Sequence, residues 1–334
     1  MKIAIHHSPG TFSERWVAYC EQQNIPYKIV DCYKNDIIQQ LDDCSALMWH
    51  YHHASATSTL FAKQLMYSVA AMGKKIFPDF NTAWHFDDKV GQKYLLEAIA
   101  SPLVPSFVFY TKNEALNWIN NTSFPKVFKL RGGAGSANVQ LVKSKGQAIS
   151  LVNKAFGKGF KQYDGWGNFK ERVRKFKNGN TTFVDVCKGF LRIFYTTHFA
   201  KVAGREKGYV YFQDFIDNND CDIRIIVIGE KAFAMKRMIR ENDFRASGSG
   251  ITFYQQEIFD IESVKISMDI TRQLKAQCLA FDFVYKNGAP LILEISYGFA
   301  IEIYDACQGY WDKDLNWQEG RFVPQNWMVD LMLQ

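Results

Sequence analysis

The chain has 334 residues, 47% apolar and 15% aromatic, with a formal net charge of +6 at pH 7. That length supports two or three packed units, and the apolar share excludes a disordered chain. No run of about 18 apolar residues occurs, so no membrane span is expected, and the mild positive charge favours anionic small molecules such as nucleotides or acidic sugars without itself calling for nucleic acid. The cysteines (Cys20, Cys32, Cys44, Cys187, Cys221, Cys278 and Cys307) are odd in number and lack CxxC spacing. A zinc site or a disulfide framework is therefore not expected, and a reducing cytoplasm fits. The opening MKIAIHHSPG reads as a first strand, not a signal peptide.

Residues 1–80 alternate strand and helix, with strands at Lys2–His6, Tyr27–Cys32, Ala46–Tyr51 and Lys75–Pro78. Helices are expected at Thr11–Gln22, Asn35–Leu41 and Ser58–Met72, which together imply a small doubly wound parallel sheet. Ligands of such sheets sit beyond the carboxyl ends of the strands. Those ends carry His6, His7 and Ser8 after the first strand and His50, Tyr51, His52 and His53 after the third. The histidines either contact a substrate or satisfy backbone groups of their loops; a metal site would lack a carboxylate or cysteine at ligand spacing.

Next, His85-Phe86-Asp87-Asp88-Lys89 leads into a helix over Val90–Ala100, with a strand at Ser106–Tyr110 and a helix at Asn113–Asn120. Phe124–Val142 (FPKVFKLRGGAGSANVQLV) reads as strand, glycine-rich turn, strand. Three glycines in four positions let backbone N–H groups converge on an anion, and Lys129 can add a point charge. A plain hairpin with a flexible tip is the bland alternative. The turn is not a P-loop, which needs Gly-Lys-Ser/Thr before a helix. Nor is it a dinucleotide fingerprint, because Asn138 replaces the third glycine and a strand follows. HRD and DFG motifs are absent, which excludes a protein kinase.

A helix at Gly146–Ala155 precedes a lysine- and arginine-rich stretch to residue 180, which reads as a polyanion contact or a solvated helix face. Phe183–Thr197 is a further helix. Residues 206–334 look like an antiparallel sheet with covering helices. Its strands are Tyr209–Ile216, Asp222–Ile228, Lys231–Ile239, Ala280–Tyr285 and Pro290–Ile295, with a helix at Val264–Cys278. Asp282 and Glu294 stand on adjacent strands of one hairpin, where two carboxylates can share Mg²⁺ or simply face lysines across the ladder. In the tail, Trp311, Trp317 and Trp327 alternate with acidic residues and suit either a sugar ring or packing onto the body.

Taken in order, the small α/β domain, HFDDK, VFKLRGGAGSANV, QDFI, DIRIIVIG, KRMIRENDFR, FDFV and LILEIS resemble the ATP-grasp superfamily of carboxylate–amine ligases. The likeness is nearest its ribosomal-protein-S6-modification-like and polysaccharide-biosynthesis members, and it runs from about Lys2 to about Asp305. It implies an α/β (α+β) ATP-grasp fold in three parts: a parallel α/β domain over 1–83, a subdomain with the glycine loop and basic insertion over 84–205, and a subdomain with the metal site and aromatic tail over 206–334. It also implies ATP and one or two Mg²⁺ as cofactors.

Roles follow residue by residue from the same resemblance. Lys89 and Lys129 look like the nucleotide lysines, and Gly132, Gly133, Gly135 and Ser136 like the loop over the phosphates. Gln213, Asp214, Phe215 and Ile216 match the adenine edge, and Asp222 the ribose acceptor. Arg224, Arg237 and Arg245 match basic positions near the transferred group, and Asp282 and Glu294 the metal carboxylates. Ser296 stands where the family usually has asparagine, a poorer ligand whose place Glu302 or Asp305 could take.

The implied reaction forms an acyl phosphate and then an amide, in the cytoplasm, from a small-molecule carboxylate and an amine. His6, His7, His50, His52 and Trp311 point the substrate toward a sugar acid, as in surface-polysaccharide decoration. An ATP-grasp kinase and a non-catalytic nucleotide binder are the alternatives. The oligomeric state is open, a homodimer included.

Overall fold

The structure, a computed structural model, describes residues 1–52, 55–132, 138–161, 169, 172–174, 176, 181–194, 204–240, 244–246 and 250–334. The strands are β1 Ile3–His6, β2 Tyr27–Val30, β3 Ala46–Trp49, β4 Lys75–Phe77, β5 Ser106–Phe109, β6 Lys126–Lys129, β7 Val139–Val142, β8 Phe160–Lys161 and β9 Arg205–Glu206. They continue as β10 Val210–Asp214, β11 Cys221–Ile228, β12 Lys231–Met238, β13 Thr252–Phe253, β14 Cys278–Lys286, β15 Ala289–Ser296, β16 Gly309–Trp311 and β17 Trp317–Glu319. The helices are α1 Phe12–Gln22, α2 Ile37–Gln40, α3 Ala56–Ala71, α4 Phe80–Ala83, α5 Lys89–Ala98, α6 Lys112–Asn121, α7 Lys145–Ala155, α8 Phe183–Phe194, α9 Ile261–Gln273 and α10 Pro324–Leu333.

The described chain divides into two compact units. Met1–His52, Phe61–Val104 and Ile216–Gln334 form the first, and His53–Leu60 with Pro105–Phe215 the second. Most of residues 1–83 and most of residues 206–334 thus belong to one unit.

In the first unit, a parallel sheet has the order β2-β1-β3-β4. Both β1 and β3 are buried at every residue, as a parallel strand covered on both faces requires. Thr11 caps α1 by accepting from the Ser13 N–H, and Asp88 caps α5 by accepting from Gly91 N–H at 2.9 Å. A larger antiparallel sheet has the order β15-β14-β11-β12-β16-β17, with β13 also on β12. Strand alternation gives it two faces. Ile226, Ile228, Phe233, Cys278 and Ala280 share a core with Ile3, Ile5, Phe12 and Trp16. Ile223, Ile225, Val227, Phe281 and Ile295 pack with Val264 and Met268 of α9. The helix expected to reach Cys278 stops at Gln273, because Lys275 turns left-handed (φ 52). That releases Cys278–Lys286 as the central strand β14.

In the second unit the sheet order is β5-β10-β6-β7. Residues 210–214 were expected to start the C-terminal sheet; they instead lie antiparallel between β5 and β6. Phe212 explains the choice, since it packs against Phe128 and Trp118 in the core under α6 and α7. Asn138 closes the β6–β7 turn at φ 62, a conformation asparagine tolerates better than most side chains.

Candidate functional site

Strand register assembles a charged row on one face of the first unit's antiparallel sheet. Asp222 and Arg224 stand two apart on β11, so they share a face. Arg237 is opposite Asp222, and Asp282 is opposite both Arg224 and Glu294. The Arg224 guanidinium donates to both Asp282 oxygens, at 2.5 and 2.7 Å. Arg237 clamps Asp222 with two contacts of 2.6 Å and also reaches Asp282 at 3.0 Å. Asp222, Arg237 and Asp282 are all buried. Burial opposes ionisation of Asp282, yet the two guanidiniums outweigh it and hold the carboxyl well below the usual range. Burial and the neighbouring Asp282 charge push Asp222 up to about 6, against the pull of Arg237. The phenol of Tyr304, 1% exposed, belongs to the same electrostatic neighbourhood, and its hydroxyl has no hydrogen-bond partner among the described residues.

The expected nucleotide and metal residues of this unit fall around that row. Lys89 is the first residue of α5, buried, with its amine 3.5 Å from the Glu294 carboxylate. Ser296 Oγ donates to Gly298 O at 3.0 Å and accepts from Gly298 N–H at 3.1 Å. Asp222, expected at the ribose, has both oxygens in the Arg237 clamp. The donor set does not fit a metal resident in the protein. Both Asp282 oxygens already face guanidiniums, the Ser296 hydroxyl is closed on its own turn, and no three His, Cys, Asp or Glu side chains converge among the described residues. Arg245 lies beside Phe244, its guanidinium 5.8 Å from that ring. Ile216 opens the last segment of this unit.

Two of the expected histidines are backbone acceptors. His6 Nδ1 accepts from Cys32 N–H at 3.0 Å, and His50 Nδ1 accepts from Phe12 N–H at 3.0 Å. A ring nitrogen that accepts carries no proton, so both rings are the Nε2–H tautomer. His50 also stacks on Phe12, centroids 3.7 Å apart. His7 Nδ1 is 3.2 Å from Ser13 Oγ, and His52 is half-buried beside His50. Trp311 is 2% exposed, packed on Trp317 and Phe259, so it does not offer a face to a sugar. Trp327 stacks on Phe322 in the same way, and the tail is core material.

The second unit has its own polar face. Ser106, Tyr211, Gln213 and Lys129 occupy one side of its sheet by register, and Phe107, Phe128 and Phe212 the other. Ser106 Oγ accepts from the Tyr211 hydroxyl at 2.9 Å and from Gln213 Nε2 at 3.1 Å. Lys129 is buried opposite Tyr211. Asp214 lies on the apolar side, paired at 2.6 Å with Lys126, a buried lysine over the Phe107 and Trp118 rings. Phe215 ends the unit and Gly132 ends the first half of the hairpin, while Gly133, Gly135 and Ser136 lie outside the described residues, as does most of the basic stretch.

Sequence reading missed Lys126, Ser106, Tyr211 and Tyr304. In KVFK the first and last residues fall on opposite faces of a strand, which was the available signal that the two lysines differ.

Residues 200–309 match the family model described as the RimK-like ATP-grasp domain. No curated protein sequence matches the chain. Among solved structures, the chain is similar to a RimK domain ATP-grasp protein from Sphaerobacter thermophilus (12% identity, all of both chains covered, TM-score 0.58). A D-alanine–D-alanine ligase from Bacillus anthracis is 15% identical over 90% of this chain and 88% of its own, with a TM-score of 0.56. The D-cycloserine synthetase DcsG is 12% identical over 99% of this chain and 100% of its own, with a TM-score of 0.59. Together they place the chain in the ATP-grasp fold. No helix among the described residues is long and apolar enough to cross a membrane.

Proposed function

From the premise that this chain carries the ATP-grasp fold, with a RimK-like ATP-grasp domain matched over residues 200–309, we propose that it is an ATP-dependent carboxylate–amine ligase. The observation that carries the reading is the charged row: two guanidiniums, Arg224 and Arg237, fixed side by side by carboxylates on adjacent strands. Fixed cations of this kind stabilise charge that develops on a transferred phosphoryl group, because they need little reorganisation during the step.

In the proposed reaction Mg·ATP is the substrate form. An oxygen of the acid attacks the γ-phosphorus, the bond to the β-phosphate oxygen breaks, and ADP leaves. The amine then attacks the acyl carbon, phosphate departs with the former acid oxygen, and the amine proton goes to solvent. Arg224 and Arg237 are assigned to the phosphoryl oxygens. Lys129 and Gln213 are assigned to the nucleotide, and Lys89, paired with Glu294, to its phosphates. No side-chain nucleophile is required.

The substrate is a carboxylic acid with an amine acceptor. A sugar acid loses its support from Trp311, which is in the core. ADP and phosphate release from Mg·ATP is the test, with pooled uronic acids, amino acids and short peptides and hydroxylamine as trap. Acid-dependent hydroxamate is expected. A stable phosphorylated product without free phosphate would replace the ligase with a kinase, and nucleotide binding without turnover on any pool would leave only a binding protein.

A further inference from the structure

The charged row is more closed than phosphoryl transfer requires. Carboxylates that face one another repel, and a divalent cation placed between them relieves that repulsion. Asp282 instead receives three guanidinium contacts, at 2.5, 2.7 and 3.0 Å, from two arginines on two strands. A cation placed against it would face both guanidiniums at close range. Ser296, the third residue of the family's metal motif, spends its hydroxyl on both polar groups of Gly298. The carboxylate opposite Asp282, Glu294, faces the Lys89 amine at 3.5 Å. Every member of the motif therefore meets a cation or its own backbone.

We propose that Asp282 is the shared counter-ion that positions Arg224 and Arg237, and not a ligand of a metal resident in the protein. Asp222 completes the arrangement by pairing with Arg237, and the buried Tyr304 phenol belongs to the same electrostatic neighbourhood. Asp282 is a positioning residue: it acts on the phosphoryl group only through the guanidiniums. Magnesium then arrives with ATP.

The inference rests on the ligase reading for its purpose but not for its test. In full-length protein with EDTA, Asp282→Asn removes the charge two buried guanidiniums share, so its melting temperature falls by several degrees. A metal carboxylate would behave in the reverse sense, since neutralising it relieves repulsion, and an unchanged or raised melting temperature overturns the proposal. In the complex with a non-hydrolysable ATP analogue, Mn²⁺ counted by electron paramagnetic resonance is expected to be the same in wild type and Asp282→Asn. Loss of one Mn²⁺ in the variant overturns it. With turnover, the variant loses about tenfold or more in kcat while KM for Mg·ATP changes little, the mark of misplaced arginines. Should Asp282→Asn fail to fold, the wild-type count decides alone: one Mn²⁺ per nucleotide supports the proposal and two overturn it. The melting arm needs neither nucleotide nor acid, so failure of the ligase reading and failure of this one are separate results.

Discussion

The two units each present a polar sheet face, and the faces are built on different principles. In the first unit the face is ionic, with Asp222, Arg224, Arg237 and Asp282 paired at 2.5–3.0 Å and largely buried. In the second it is a neutral relay, in which Ser106 takes donors from Tyr211 and Gln213, with Lys129 the cation beside it. Buried ions exert strong, directed fields but leave a large penalty when one partner is lost. Neutral hydrogen bonds recognise shape at modest cost.

Removing a partner from each face should break the comparison most sharply. Arg237→Leu leaves Asp222 and Asp282 buried without their shared cation, and about 3–5 kcal/mol of stability should go, read by urea denaturation. A loss below about 1 kcal/mol would mean the row is solvated and the contrast false. The equivalent change on the neutral face, Ser106→Ala, should cost about 1–2 kcal/mol, because two donors lose one acceptor.

Between those extremes lies a pH effect carried by a buried neutral group outside both faces. His85 is fully buried, and burial, helped by the charge of Lys63, lowers its pKa from 6.5 to about 4. The folded ring stays neutral while the unfolded one protonates near 6.5. Its contribution is therefore complete above that value and is lost as pH falls from about 6.5 toward about 4, some 3 kcal/mol in all. Denaturation at pH 7.5, 6 and 5 should show wild type losing more stability than His85→Phe; burial of His6 and His52 adds to the loss in both, and the raised carboxyl of Asp222 opposes it in both. Smaller again is His50→Ala, which strips the acceptor from Phe12 N–H and should destabilise by about 1–3 kcal/mol without touching nucleotide affinity. Lys129→Ala should weaken nucleotide binding about tenfold, measured by calorimetry.

Much of the architecture was readable in advance because it is written in local periodicity. IAIH, ALMW and CDIRIIVI announce themselves as strands, whereas the cap Asp260 went unread and its helix was expected to start only at Val264. Partners are another matter. Alternation makes 210–214 a strand but cannot say that Phe212 belongs with Trp118 and Phe128 rather than with the C-terminal sheet. The charged residues of the row were each singled out, yet their mutual engagement depends on register between β11, β12 and β14, which no single stretch encodes. Loop position at strand ends is shared by ligand contacts and backbone acceptors alike, and only the folded chain shows that His6 and His50 hold the Cys32 and Phe12 N–H groups through Nδ1. Trp311 misled for a similar reason, since an aromatic between polar neighbours reads the same whether its ring meets a sugar or Trp317.

The most direct test of carboxylate activation is positional isotope exchange in ATP labelled with ¹⁸O at the β,γ-bridge, run with the pooled acids and no amine. Reversible acyl-phosphate formation predicts scrambling of the label into the non-bridging β-positions, dependent on the acid. ADP formation with no scrambling, alongside a stable phosphorylated alcohol, would contradict the account.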